Sequence, residues 1–116
     1  MTWRKINQVW CEWPARPTGL VELIGGSYLA ASPHISYKKL LESLLDKGLA
    51  INAWSYLPSF DHQTQSNIAW NQFRVCKKIF YKRFKQNPKI IRLGHSLGSK
   101  LQFLAPDGGR NCNSMI

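Results

Sequence analysis

Hydrophobic residues recur with helical spacing in two segments of the chain. In the first segment they fall at i, i+3, i+4, i+7 and i+8, which predicts one apolar helix face made of Tyr37, Leu40, Leu41, Leu44 and Leu45. Lys47 and Gly48 follow this face and are typical of a helix end. A longer helix is predicted for residues 63–86, with aromatic residues on one side, basic residues on the other, and Asn87-Pro88 after its end.

Four short apolar runs have the length and composition of β-strands, at residues 9–13, 19–24, 49–54 and 89–93. The two middle runs are apolar almost throughout, as is typical of strands buried on both faces. Strands and helices alternate along most of the chain. This order predicts an α/β fold, with a mostly parallel sheet flanked by helices and ligands bound beyond the carboxyl ends of the strands.

The last predicted strand leads into Gly94-His95-Ser96-Leu97-Gly98, which fits the pattern Gly-x-Ser-x-Gly. In that pattern a serine is held on a sharp turn between a strand and a helix, and the glycines let backbone segments approach closely. The N-terminus of the following helix would offer N–H groups to the oxyanion that forms when a serine attacks a carbonyl. The alternative is a strand-to-helix turn that needs its glycines for packing alone.

Composition sets the broad class of the protein. The chain has 116 residues, enough for one small domain, and its 44% hydrophobic content excludes a disordered chain. No apolar run is long enough for a transmembrane helix, and no secretory signal begins the sequence. Cys11, Cys76 and Cys112 have the spacing of neither a zinc site nor a disulfide framework. We therefore expect a soluble cytoplasmic protein without a metal or cofactor.

The net charge of +10 is unevenly distributed. Nine of the sixteen basic residues lie in residues 71–100, which contain no acidic residue. Such an asymmetry can indicate an anionic partner, such as nucleic acid or a membrane surface, although a charged helix face is usually only solvated. The aromatic residues Phe73, Phe80 and Phe84 are predicted on the core side of the long helix, where they cannot stack on bases. The pattern therefore argues against nucleic-acid binding.

Several short motifs between residues 13 and 104 match one known family. They are Ile24-Gly25-Gly26, Ser32-Pro33-His34, Tyr37 with Leu40-Leu41-Glu42, Phe60-Asp61-His62, and the Gly94–Gly98 pattern with Lys100-Leu101. With the predicted element order, they resemble the nucleophile-bearing half of the α/β-hydrolase fold. More narrowly, they resemble an uncharacterised hydrolase-like family of photosynthetic organisms, domain-of-unknown-function family 1350.

The resemblance implies a serine hydrolase that acts on an ester, thioester or amide of a small acyl substrate, without a cofactor. Ser96 would be the nucleophile. The loop after the second predicted strand would supply one oxyanion N–H, from Gly26 or Ser27, and Leu97 would supply the other.

The sequence departs from the superfamily pattern after the serine. Triads of this superfamily run serine, acid, histidine along the chain, but only Asp107 and no histidine follow Ser96. Asp61 and His62 form a conceivable substitute pair; alternatively, Asp61 caps the long helix and His62 is a loop residue. We expect His95 to be a packing or hydrogen-bonded residue.

The remaining expectations follow from this departure. His34 is close in sequence to the expected oxyanion loop and is predicted to shape it, although substrate contact is the alternative. We interpret residues 1–104 as a partial, truncated α/β-hydrolase-like domain and residues 105–116 as an irregular tail. Such a chain should be inactive or nearly so by itself. Its sheet should end in an exposed edge strand, which favours self-association. The alternative to a serine hydrolase is a non-catalytic fragment or a basic module that binds nucleic acid or another anionic surface.

Overall fold

The computed structural model describes residues 2–116 and contains one six-stranded sheet. Its strands are β1 (Arg4–Ile6), β2 (Val9–Glu12), β3 (Gly19–Ile24), β4 (Leu49–Trp54), β5 (Ile90–Gly94) and β6 (Ser114–Met115). They are arranged in the order β1-β2-β4-β3-β5-β6. β4, β3, β5 and β6 run parallel to one another, whereas β2 is antiparallel to both β1 and β4. The predicted α/β fold with a mostly parallel sheet is confirmed, and β1 is a strand that the pattern did not predict.

Four helices cover the sheet: α1 (Pro33–Ser36), α2 (Lys38–Asp46), α3 (His62–Phe84) and α4 (Leu97–Phe103). The two periodic segments of the sequence are α2 and α3, as predicted. Because side chains alternate between the faces of a strand, β3 serves two cores. Its Val21 and Leu23 pack with Leu41 of α2, while Leu20 and Ile24 pack with residues of α3 and α4, including Phe80.

The three central parallel strands end level with one another. Ile24, the last residue of β3, is paired with Trp54 at the end of β4 and with Gly94 at the end of β5. The loops that follow these strands therefore leave the sheet side by side. This end of the sheet, with the loops of residues 25–32 and 55–61 and the turn at Ser96, is called the serine edge below.

The segment after α4 differs from the predicted irregular tail. It ends in β6, which pairs parallel with β5 and covers its outer edge, so β5 is not the exposed edge strand. The Ile90 N–H donates to Asn113 Oδ1 at 2.8 Å, and Gly94 N–H donates to the Ile116 carbonyl at 2.9 Å. This anchoring uses polar groups instead of an apolar repeat, which is why the hydrophobic pattern missed it. Within the described residues, none of the helices has the length and apolar character needed to cross a membrane.

Candidate functional site

Ser96 lies on the turn between β5 and α4, and its side chain is exposed. Its backbone has φ 57° and ψ −122°. A positive φ is uncommon for a residue other than glycine and costs on the order of 1–3 kcal/mol, so it persists only where the surrounding structure enforces it. The turn therefore holds the serine in a strained conformation at the carboxyl end of a central strand.

The two glycines that flank this serine are required by close backbone contacts. A Cβ on Gly98 would lie 1.9 Å from the carbonyl oxygen of Ile24, and a Cβ on Gly94 would lie 2.6 Å from Cα of Ser99. No side chain fits at either distance. The start of α4 is thus pressed against the end of β3, and this packing enforces the conformation of Ser96.

The loop after β3 reaches the serine turn at Gly26. A Cβ on Gly26 would lie 3.2 Å from Cβ of Ser96. The Gly26 N–H donates to the Tyr37 hydroxyl at 2.8 Å. By contrast, the N–H groups of Ser27 and Leu97 have no hydrogen-bond partner within residues 2–116. Among the three predicted oxyanion donors, Ser27 and Leu97 therefore have an N–H available for a ligand.

Tyr37 links the loop after β3 to the serine turn, and the sequence pattern had assigned it only to a helix face. Its ring packs so closely on Gly25 that a Cβ there would lie 2.6 Å from Cε2. Its hydroxyl is 2.8 Å from Nδ1 of His95 as well as from the Gly26 nitrogen. His95 is thus hydrogen-bonded, as expected. The separation of Tyr37 from Gly25-Gly26 and from His95 along the sequence could not reveal these contacts.

Asp61 and His62 lie where α3 begins, but the structure does not join them into a pair. Asp61 is the N-cap of α3, and both of its carboxylate oxygens accept hydrogen bonds from Thr64, at 3.1 Å from the backbone nitrogen and 2.8 Å from the hydroxyl. These bonds lower the pKa of the exposed Asp61 carboxyl. No hydrogen bond joins His62 to Asp61 or to Ser96 within the described part of the chain. The capping interpretation of Asp61 is confirmed, and His62 is the first residue of the helix.

Asp107, the only acidic residue after Ser96, lies away from the turn in a buried ion pair. Its carboxylate binds both terminal nitrogens of Arg92, at 2.7 and 2.6 Å, and this pairing holds the pKa of Asp107 far below its usual range. Arg92 Nε also lies 3.4 Å from Oε1 of Glu22, whose other oxygen is 3.7 Å from Nζ of Lys77. Burial raises the pKa of Glu22. The hydrophobic pattern did not predict this network of charged side chains.

His34 packs on the N-terminal hairpin. Its ring stacks on that of Trp10, with centroids 4.0 Å apart, and is tilted against that of Trp3 at 5.8 Å. Burial, with a smaller effect of the nearby Lys5, lowers the pKa of His34. Its aromatic contacts are therefore with the hairpin. Residues 2–116 contain no cluster of three or more histidine, cysteine or acidic side chains able to hold a metal ion.

Three solved structures with a similar fold are described as a thioesterase, a carboxyl esterase and a lipase. The chain aligns with a protein assigned as a thioesterase from Silicibacter sp. TM1040, with a TM-score of 0.61 and 20% identity over 97% of this chain and 45% of that one. It aligns with a thermostable carboxyl esterase from Bacillus coagulans, with a TM-score of 0.63 and 15% identity over 98% of this chain and 42% of the esterase. A lipase in its open form gives a TM-score of 0.59 and 21% identity over 92% of this chain and 37% of the lipase.

These likenesses establish an α/β-hydrolase-like fold, and the chain spans less than half the length of each neighbour. No curated protein sequence matches the chain. A family model described as "Protein of unknown function (DUF1350)" matches residues 2–113. This match extends to residue 113 and therefore includes most of the segment after α4, which the sequence analysis interpreted as an irregular tail.

Proposed function

Because the chain belongs to the DUF1350 family of proteins of unknown function, we propose its function from its site: Ser96 is the nucleophile of a serine hydrolase that attacks an ester, thioester or amide carbonyl. The observation that carries this proposal is the exposed Ser96, held at positive φ next to Leu97 and close to the Gly26 loop that bears Ser27. The N–H groups of Ser27 and Leu97 have no hydrogen-bond partner within residues 2–116. The hydrolase-like fold supports the proposal, since a ligand bound beyond the parallel strands would meet the Ser96 hydroxyl.

Each group at the serine edge has a role in the proposed reaction. Ser96 Oγ attacks the acyl carbon, and the developing oxyanion accepts hydrogen bonds from the N–H groups of Ser27 and Leu97. Collapse of the tetrahedral intermediate breaks the bond between the acyl carbon and the leaving group, which takes up the proton lost by Ser96 through solvent and departs as the alcohol, thiol or amine, leaving an acyl group on Ser96. Water then attacks the acyl carbon, releases the carboxylic acid and returns a proton to Ser96 Oγ. Gly26 does not donate to the oxyanion, because its own N–H is bound to Tyr37. Its role is to let the loop after β3 approach Ser96 closely.

No general base for Ser96 is identified among the described residues. No histidine follows Ser96 in the sequence, and Asp107 neutralises Arg92. His62 lacks the oriented carboxylate that usually holds a catalytic histidine, because Asp61 is bound to Thr64. A serine without a base is a poor nucleophile toward ordinary esters. N–H groups that stabilise the developing charge can still accelerate its attack on a strongly electrophilic probe, in the folded protein only. We therefore expect covalent capture of a reactive probe, with slow turnover of esters.

A fluorophosphonate probe tests the proposal. In the labelling reaction a bond forms between Ser96 Oγ and phosphorus, the phosphorus–fluorine bond breaks, and fluoride and the hydroxyl proton pass to solvent. We expect one label per chain, located at Ser96 by peptide mass spectrometry. The label should be absent from Ser96→Ala and from urea-unfolded protein. Ser43→Ala, which removes an exposed hydroxyl on α2, should label like the parent chain. A folded parent chain that takes up no label, or labels elsewhere, would refute the proposed nucleophile.

A further inference from the structure

Large apolar side chains are exposed at the same end of the sheet as Ser96. Tyr28 and Phe60 are 101% and 104% exposed, Leu57 is 77% exposed and Leu29 is 38% exposed. Single exposed apolar residues are common on proteins, but a group of them on neighbouring loops marks a binding surface. We call these four residues the apolar rim.

The rim comes from two loops that the sheet brings together. Tyr28 and Leu29 follow β3, and Leu57 and Phe60 follow β4, and these parallel strands end level with β5 at the serine turn. The loops are also bound to each other. The Tyr56 hydroxyl donates to the Gly25 carbonyl at 2.6 Å, the Tyr56 N–H donates to the Ala30 carbonyl at 3.1 Å, and the Ser55 hydroxyl donates to the Ala31 carbonyl at 2.6 Å.

The rim is uncharged in a strongly basic protein. Residues 25–33 and 55–60 contain no acidic or basic side chain, although the chain as a whole carries a net charge of +10. The neighbouring carboxylate, Asp61, is bound to Thr64. These loops carry no charged side chain to attract an ionic ligand, so the chemistry of their side chains favours a neutral, apolar one.

We propose that the apolar rim binds the hydrocarbon chain of an acyl substrate whose carbonyl lies at Ser96. This inference rests on the proposed function and narrows its substrate class to esters, thioesters or amides with long alkyl or acyl chains. Full burial of a methylene group is worth a factor of about four in affinity, and an open surface recovers part of it, so about twofold per methylene is expected. Chain length should therefore strongly change the reactivity of Ser96.

Two fluorophosphonates that differ only in an ethyl or a dodecyl chain provide the test, at concentrations below micelle formation. We expect the dodecyl probe to label Ser96 at least about tenfold faster than the ethyl probe, which at about twofold per methylene requires about three or four of the extra methylenes to contact the rim. The ratio should fall close to one in the double variant Leu57→Ser/Phe60→Ser, in which both replaced side chains are exposed. Phe103→Ser, a matched change at a 72% exposed residue of α4, should keep the ratio of the parent chain.

A binding measurement separates failure of this inference from failure of the proposed function. A non-reactive dansyl amide with a dodecyl chain should bind the parent chain and Ser96→Ala equally, and should bind Leu57→Ser/Phe60→Ser at least about tenfold more weakly. Binding without labelling would refute the nucleophile and retain the rim. Labelling that is independent of chain length and unchanged in the rim variants would refute the rim and retain the nucleophile.

The same variants test whether the rim is instead covered by a second copy of the chain. Sedimentation velocity of the parent protein should show a monomer whose mass is unchanged by Leu57→Ser/Phe60→Ser. A dimer that dissociates in the double variant, with no chain-length dependence of labelling, would overturn the proposed hydrocarbon site.

Discussion

Arg92 and Asp107 form a bidentate ion pair whose side chains are only 2% and 5% exposed. Arg92 belongs to β5, the strand that leads to Ser96, and Asp107 follows α4. The pair therefore fastens the segment after α4 to the sheet on which the serine turn is built. The Asp107 side chain, the only acidic one after Ser96 in the sequence, therefore serves a structural contact.

Replacement of Asp107 by asparagine should strongly destabilise the fold. Asp107→Asn leaves the guanidinium of Arg92 buried without its closest counter-charge, and breaking one partner of a buried pair costs about 3–5 kcal/mol. Urea unfolding followed by tryptophan fluorescence measures this loss at pH 7. Asp46→Asn, at an exposed position of α2, should change the free energy of unfolding by less than about 0.5 kcal/mol. Equal effects of the two substitutions would contradict a stabilising role for the ion pair.

Glu22 and Asp107 should make the free energy of unfolding change with pH in opposite directions. The folded-state pKa of Glu22 lies above 4.5 because the carboxyl is buried, so the folded state binds its proton more tightly than the unfolded state does. This contribution is fully present below pH about 4.5 and is lost as pH rises through the folded pKa. Asp107 behaves in the reverse way: its contribution is present above pH about 3.8 and is lost as pH falls toward its depressed pKa.

Glu22→Gln isolates the first of these effects. The free energy of unfolding at pH 5 minus that at pH 7 should be more positive in the parent chain than in Glu22→Gln, because the variant has no proton to gain at this position. Groups common to both chains cancel in the comparison. Urea titrations at the two pH values measure the difference. The same pH dependence in both chains would mean that Glu22 has an ordinary pKa in the folded state.

The hydroxyl of Tyr37 should matter for both stability and labelling. Tyr37→Phe removes the acceptor of the buried Gly26 N–H and the hydrogen bond to His95, at a cost of about 1–3 kcal/mol. It should also slow labelling of Ser96, because the loop that presents the Ser27 N–H loses one of its attachments. Tyr28→Phe is the matched control at a fully exposed tyrosine and should preserve stability. If Tyr37→Phe is destabilised but labels at the rate of the parent chain, the Tyr37 hydroxyl has no role in the reactivity of Ser96.

The hydrophobic pattern predicted the parts of the fold that depend on burial of one face. Residues 49–54 form β4 as predicted, and α2 and α3 follow their periodic segments within about two residues. The pattern did not predict β1, in which only Ile6 is apolar, because edge strands need little burial. It also predicted Phe80 on the core side of α3, and the structure buries Phe80 fully while the adjacent Ile79 is 37% exposed.

The site was predictable only where a local motif defined it. The glycines around Ser96 indicate a tight turn from the sequence alone. The structure shows the close backbone contacts that require these glycines. The engagement of Asp107 with Arg92 and of Gly26 with Tyr37 depends on which distant residues meet when strands and helices pack. Hydrophobic periodicity indicates which face of an element is buried but not which polar groups become partners there.

The three hydrogen bonds between the loops after β3 and β4 have a thermodynamic consequence for any ligand at the serine edge. Loops that are already fixed to each other lose little conformational entropy when a ligand binds, so more of the contact energy appears as affinity. Binding at this edge should therefore resemble insertion into a preorganised receptor more than induced fit. A ligand that separated the two loops would have to break the Tyr56–Gly25 hydrogen bond.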